Sequence, residues 1–283
     1  MVLEALISPF RAEKKPWEMF FLGMLYSSIA IFISLLIFSK EAGLVSVFLT
    51  VFACIPLIYQ ATKIEEAKDR QDVKESFLLK EHSKALFFFF CLFIGIMVSY
   101  TLWYLVLPTS IVSNLFSIQM ETIGQINRDV TGNFLNPEKV FPIIFLNNMK
   151  VLVFCILFSF FYGFGSLFIL TWNASVIAAA VGNYVRDHLS SFASIMGFTK
   201  IAIYLQYFSL GILRYMTHGF AEILAYFIAG LAGGIISIAV VNHDFRSENF
   251  EKIIIDSTSL VLISIVILFL AALIEVYITP LIF

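Results

Sequence analysis

The chain has 283 residues, 60% of them hydrophobic and only 13% charged, with a net charge of -2 and a mean hydropathy of +0.93. A soluble domain carries about 25% charged residues, so this composition excludes one. It excludes a nucleic-acid binder too, because no basic excess exists to meet phosphate.

In chain order, "MVLEALISPFRAEKKPWEMF" places an apolar stretch before its basic cluster, the reverse of a signal peptide. It reads as an interfacial amphipathic segment over 1–16, with Arg11, Lys14, Lys15 and Trp17 at headgroup level. Long apolar runs follow, without the ~10-residue alternation of a transmembrane barrel. A backbone in lipid must satisfy its own hydrogen bonds, so the runs predict helices. At ~20 residues per crossing, the clear spans are roughly 18–39, 44–61, 86–107, 142–170, 217–241 and 258–281. The stretch 171–216 is apolar but broken by "RDHLSS", and fits two tilted spans or a re-entrant pair. The expected fold is therefore all-α, a polytopic bundle of six to eight spans.

Residues 17–140 form an amino-terminal section with a charged loop at 62–85 and a second loop at 108–141. The first loop holds six Lys and Arg, the amino terminus three, and the second loop only Arg128 and Lys139. The positive-inside bias then puts the amino terminus and 62–85 in the cytoplasm and 108–141 outside. Glu66 and Arg70 have the i,i+4 spacing of a solvated helix linking two spans. Ile111, Leu115 and Ile118 predict a short surface helix in the outer loop, before turn signals at Asp129, Gly132 and Asn136-Pro137. Cys54, Cys91 and Cys155 lie inside apolar runs and read as small packing residues rather than a disulfide or zinc set.

Ionisable groups inside a span cost at least ~2.5–3.5 kcal/mol near its centre, so each is a site hypothesis. His218, Glu222 and Glu275 are those singled out, with the uncharged Asn173. His218, Glu222, Ala225, Ala229 and Gly233 share one helical face, and Ser264, Ala271, Glu275 and Thr279 form a similar seam. Both acids are thus expected to face protein rather than lipid. The first reading is a lock: His218 and Glu222 pair with each other, or with Glu275 or Asn173. The second is a water-filled path in which His218, Glu222 and Glu275 carry protons or ions, as in a transporter or channel. A metal held by the same three residues is weaker, because zinc favours more His or Cys. No phosphate loop, HExxH pair or Ser-centred elbow appears, and no nucleophile–base–orienter set can be named. A non-enzymatic protein without a cofactor is expected. Gly163 and Gly165 in "YGFGSL", and Gly230, Gly233 and Gly234 in "AGLAGG", allow helices to approach closely, within the chain or between copies.

Five pieces of the region 141–283 carry a resemblance: "FLNNMKV" with Asn147 and Asn148, "YGFGSL", "TWNASVIAAAVG" with Asn173, "THGFAEILAYFIAGLAGG" and "FLAALIEVYITPLI". In order and spacing they resemble the stage II sporulation protein M (SpoIIM) family of integral membrane proteins. The family commonly has Pro where this chain has Thr217. The resemblance therefore implies a helix beginning near His218, with Thr217 as its N-cap. The namesake is similar to a membrane anchor that recruits cell-wall-degrading partners during engulfment, and many relatives occur where no sporulation takes place. What carries over is an expectation: a scaffold or complex subunit in the lipid bilayer, a homo-oligomer or bound to other membrane proteins.

Overall fold

The structure is a computed structural model that describes residues 15–69, 78–131, 137–159, 164–190, 198–241 and 248–282. The interfacial segment before residue 15, Arg70, the turn signals at Gly132 and Asn136, and Gly163 lie outside them; Asp129, read as a turn signal, lies instead within a helix, and Pro137 opens the next one. Ten α-helices are described: α1 (Glu18–Ile37), α2 (Ala42–Asp69), α3 (Leu78–Val106), α4 (Thr109–Leu115), α5 (Ser117–Thr131), α6 (Pro137–Ser159), α7 (Phe164–Ser190), α8 (Phe198–Val241), α9 (Glu248–Leu273) and α10 (Thr279–Ile282). A π-helical turn over Ile274–Ile278 joins the last two. Among the described residues no strand occurs.

Seven of these helices are long and apolar enough to cross a bilayer: α1, α2, α3, α6, α7, α8, and α9 together with the end of the chain. The protein is a multi-pass helical membrane protein. Two boundaries differ from expectation. The run 142–170 is not one span: α6 ends at Ser159 and α7 begins at Phe164. The stretch 171–216 completes α7 and then opens α8, which runs unbroken through Thr217. That residue is no N-cap. Its hydroxyl donates to the Leu213 carbonyl 2.6 Å away, four residues back in the same helix. No Pro interrupts the segment, and Gly211 and Gly219 on either side of Thr217 are carried inside the helix. Its 44 residues measure about 66 Å, twice the ~30 Å hydrocarbon core.

Two kinds of seam assemble the bundle. In the amino-terminal half, α1 lies against α3 with its backbone almost touching. A Cβ on Gly95 would fall 2.8 Å from the Phe20 carbonyl carbon and still closer to its oxygen, and one on Gly23 would collide with Leu92 O. Ser28 and Ser99 hydroxyls meet at 3.0 Å, and Trp103 Nε1 donates to Ser28 Oγ at 2.9 Å. Close approach and interhelical hydrogen bonds hold helices together where lipid offers no hydrophobic drive. The short α4 and α5 close one end of this half: Gln119 Nε2 donates to Ser175 Oγ at 3.3 Å and Asn114 to Ser39 O. Arg186 of α7 donates to Leu107 O at the same end.

In the carboxyl-terminal half α8 is the axle. It packs against α9, α6 and α7, and more lightly on α2 and α3. Ala225, Ala229 and Ala232 are fully buried along it. A Cβ on Gly233 would sit 2.7 Å from Ser159 Cβ of α6, and one on Gly230 3.1 Å from Ser166 of α7. Gly234 is buried beside them, and Gly165 falls in the first turn of α7. Cys54 and Cys155 are buried and Cys91 half-buried, all free thiols.

Candidate functional site

Polar side chains from three helices converge between α6, α8 and the π-helical turn. Their geometry begins with the turn. Thr279 sends both its backbone N–H and its hydroxyl to Ile274 O, five residues back, the latter at 3.2 Å. Pro280 follows and has no N–H to offer Val276, so a regular α-helix fails there and the wider turn replaces it. Glu275 lies within that turn, and Val276 behind it is buried against Val140 and Ile144 of α6.

The turn brings Glu275 and Thr279 to α8. His218 Nδ1 lies 3.2 Å from Thr279 Oγ1, and Nε2 lies 3.9 Å from Glu275 Oε1. The Thr279 hydroxyl lies 3.2 Å from both Ile274 O and His218 Nδ1 and so ties the imidazole to the turn. One turn along α8, the Glu222 carboxyl lies beside that of Glu275. The other side of Glu222 meets α6, where Asn148 Nδ2 donates to its Oε1 at 2.5 Å.

The result is a chain of contacts, Asn148–Glu222–Glu275–His218–Thr279, that ties α6, α8 and the end of α9 to one another. Asn148 is the central residue of the 23-residue α6, about 16 Å from either end. The group therefore sits near mid-span. It is not sealed: the His218 and Glu275 side chains keep 16% and 27% of their surface. Glu222 is half-buried as well.

Of the residues singled out from the sequence, His218, Glu222 and Glu275 are together. Asn173 is not part of the chain of contacts: its amide donates to Ile169 O, 2.8 Å away on its own helix. Asn148 takes the place expected for it. Its signal was present in "FLNNMKV", but nothing in one sequence says which of two adjacent amides faces another helix. Among the described residues no group of three or more His, Cys, Asp or Glu is arranged to hold a metal ion, so the weak metal reading gains no geometry.

The fold and this site define a class, the multi-pass helical membrane proteins with a polar group at mid-span. A model of the family described as Stage II sporulation protein M matches residues 83–280, and the chain belongs to that family. The match begins in α3 and takes in α4 to α9, reaching amino-terminal of the five pieces that carried the resemblance. An uncharacterised protein of Methanocaldococcus jannaschii is 28% identical over 167 residues, covering 58% of this chain and 84% of the relative. No solved structure matches the chain.

Proposed function

We propose that this protein is a non-enzymatic membrane scaffold or complex subunit, and that its mid-span polar group locks α6, α8 and the end of α9 into one rigid face. The observation that carries the reading is the closure of the contacts. Glu222 has a partner on either side, Asn148 and Glu275, and His218 has Thr279 and Glu275. A carrier of protons or ions needs a ligand-ready group with a continuous polar path, whereas these groups bind one another. Above them lie Val140, Ile144, Ala272 and Val276, with Phe141 and Phe145 packed on that cluster, which is an apolar layer. The lipid bilayer is the solvent of this face, and the partners are other membrane proteins. By the charge bias of the loops, the amino terminus is cytoplasmic, and seven crossings then put the carboxyl terminus outside.

Reconstitution tests it. The purified chain in liposomes should pass no more protons under a pH gradient than empty liposomes do. Glu222→Gln should lower its thermal midpoint in detergent without altering that background. A proton flux in the native protein that Glu222→Gln abolishes would replace the scaffold with the transporter reading.

A further inference from the structure

α6 has a second polar feature, on the side away from Glu222. In its apolar 18-residue stretch only 22% of the residues are buried, the smallest share among the seven spans. Ile143, Leu146, Phe154 and Leu157 are exposed along it, as an ordinary lipid-facing stripe would be. At the centre of the same stripe stand Asn147 and Lys150, also exposed. The spacing 143, 146, 147, 150, 154, 157 is one continuous helical face. Asn148 and Lys150 are 200° apart around the helix, so the lysine points away from the locked group.

Lipid is a poor neighbour for this pair. A lysine at the centre of a span costs at least ~2.5–3.5 kcal/mol even with snorkelling allowed. Lys150 lies nine residues, about 13 Å, from the end of α6 at Ser159, further than its four-carbon stem reaches. No described side chain pairs with its ammonium or with the Asn147 amide. A cation and an amide set among exposed apolar residues, each without a partner among the described residues, are what an interhelical contact looks like from one side.

The charge decides between occupants. In a two-fold contact of α6 with a second copy, Lys150 would face Lys150, which is repulsive. Of the acids well inside the spans among the described residues, Glu222 and Glu275 are already engaged with Asn148, His218 and each other, and Asp256 is 4% exposed and partnered within the bundle. A second copy thus offers no free carboxylate at this depth. We propose that the Asn147–Lys150 face of α6 docks a transmembrane helix of a different protein, one that carries a carboxylate near the middle of its span. This inference rests on the scaffold reading and names the chemistry of its partner.

The probe is a synthetic single-span helix of Leu and Ala with one Glu at its centre, compared with versions carrying Gln or Leu there. The full chain, fluorescently tagged at one terminus, is reconstituted with each labelled helix in neutral phosphatidylcholine vesicles, and association is read by energy transfer. The Glu helix should associate about 3- to 30-fold more strongly than the Leu helix, the range of interhelical polar contacts. Lys150→Met should remove that preference, and Lys150→Arg should keep it. Lys150→Met should melt like the native chain, since no polar contact among the described residues is lost. Equal association of the Glu and Leu helices would overturn the proposal. So would energy transfer between two copies of the chain that Lys150→Met changes, because it would seat a second copy on the face. Proton flux in the same vesicles would sink the scaffold reading and leave this contact standing. Equal association would sink the contact and leave the lock untouched.

Discussion

The seam between α1 and α3 and the seam between α6, α8 and α9 solve the same problem by opposite means. Between α1 and α3 the side chains are removed: Gly23 and Gly95 let each backbone press on the other, and serines and an indole supply neutral hydrogen bonds. Between α6, α8 and α9 ionisable side chains are added, and the helices are joined through them at mid-span. Backbone contact tolerates no added atom. A polar group tolerates changes of shape better than the loss of a central member, because that member's partners are then left unpaired. The first seam is a fixed joint; the second is a joint whose strength depends on chemistry.

That contrast can be broken from either side. The largest effect is expected at Gly95→Leu, whose side chain has no room against the backbone of Phe20. It should cost about 3 kcal/mol or more, the upper range for overpacking, and chemical denaturation in detergent would register it. Glu222→Leu should come next, at about 1–3 kcal/mol, since Asn148 and Glu275 both lose a partner. Glu222→Gln keeps an amide oxygen for Asn148 and should fall near the low end of that range. His218→Phe removes only the Thr279 bond and the longer Glu275 contact, and should cost under ~1 kcal/mol, typical of an interhelical bond in a membrane. Smallest of all is Lys150→Met, whose melt should match the native chain within ~0.5 kcal/mol, as for surface changes away from any partner. Should Gly95→Leu prove milder than Glu222→Leu, the ranking of the two seams is wrong.

Hydrophobic length made the bundle legible, because a bilayer imposes the same ~20-residue requirement on every crossing. The face of His218, Glu222 and Ala225 was legible for a similar reason, as helical spacing fixes it without a neighbour. What did not show lay inside apolar runs. The break between Ser159 and Phe164 falls within "FSFFYGFGSLF", where Gly163 and Gly165 read equally well as helix-packing residues. The continuity of α8 through Thr217 was hidden by a hydroxyl that serves equally as a cap or as a donor to the carbonyl of Leu213. Asn173 and Asn148 are both amides in spans, and only the packing of α6 on α8 selects Asn148 as the partner of Glu222. Lys150 sat in a run apolar enough to pass as a span, so a single cation did not interrupt it. Its meaning appears only once the exposed side of α6 is known.

The most direct measurement is a double-mutant cycle across the lock, with Asn148→Leu and Glu222→Leu singly and together, read as unfolding free energy in detergent. The account predicts that the double variant loses less than the sum of the single losses by about 1 kcal/mol, as residues in direct contact do. Additive losses within ~0.3 kcal/mol would mean that Asn148 and Glu222 do not hold α6 to α8, and the lock would fail at its central bond.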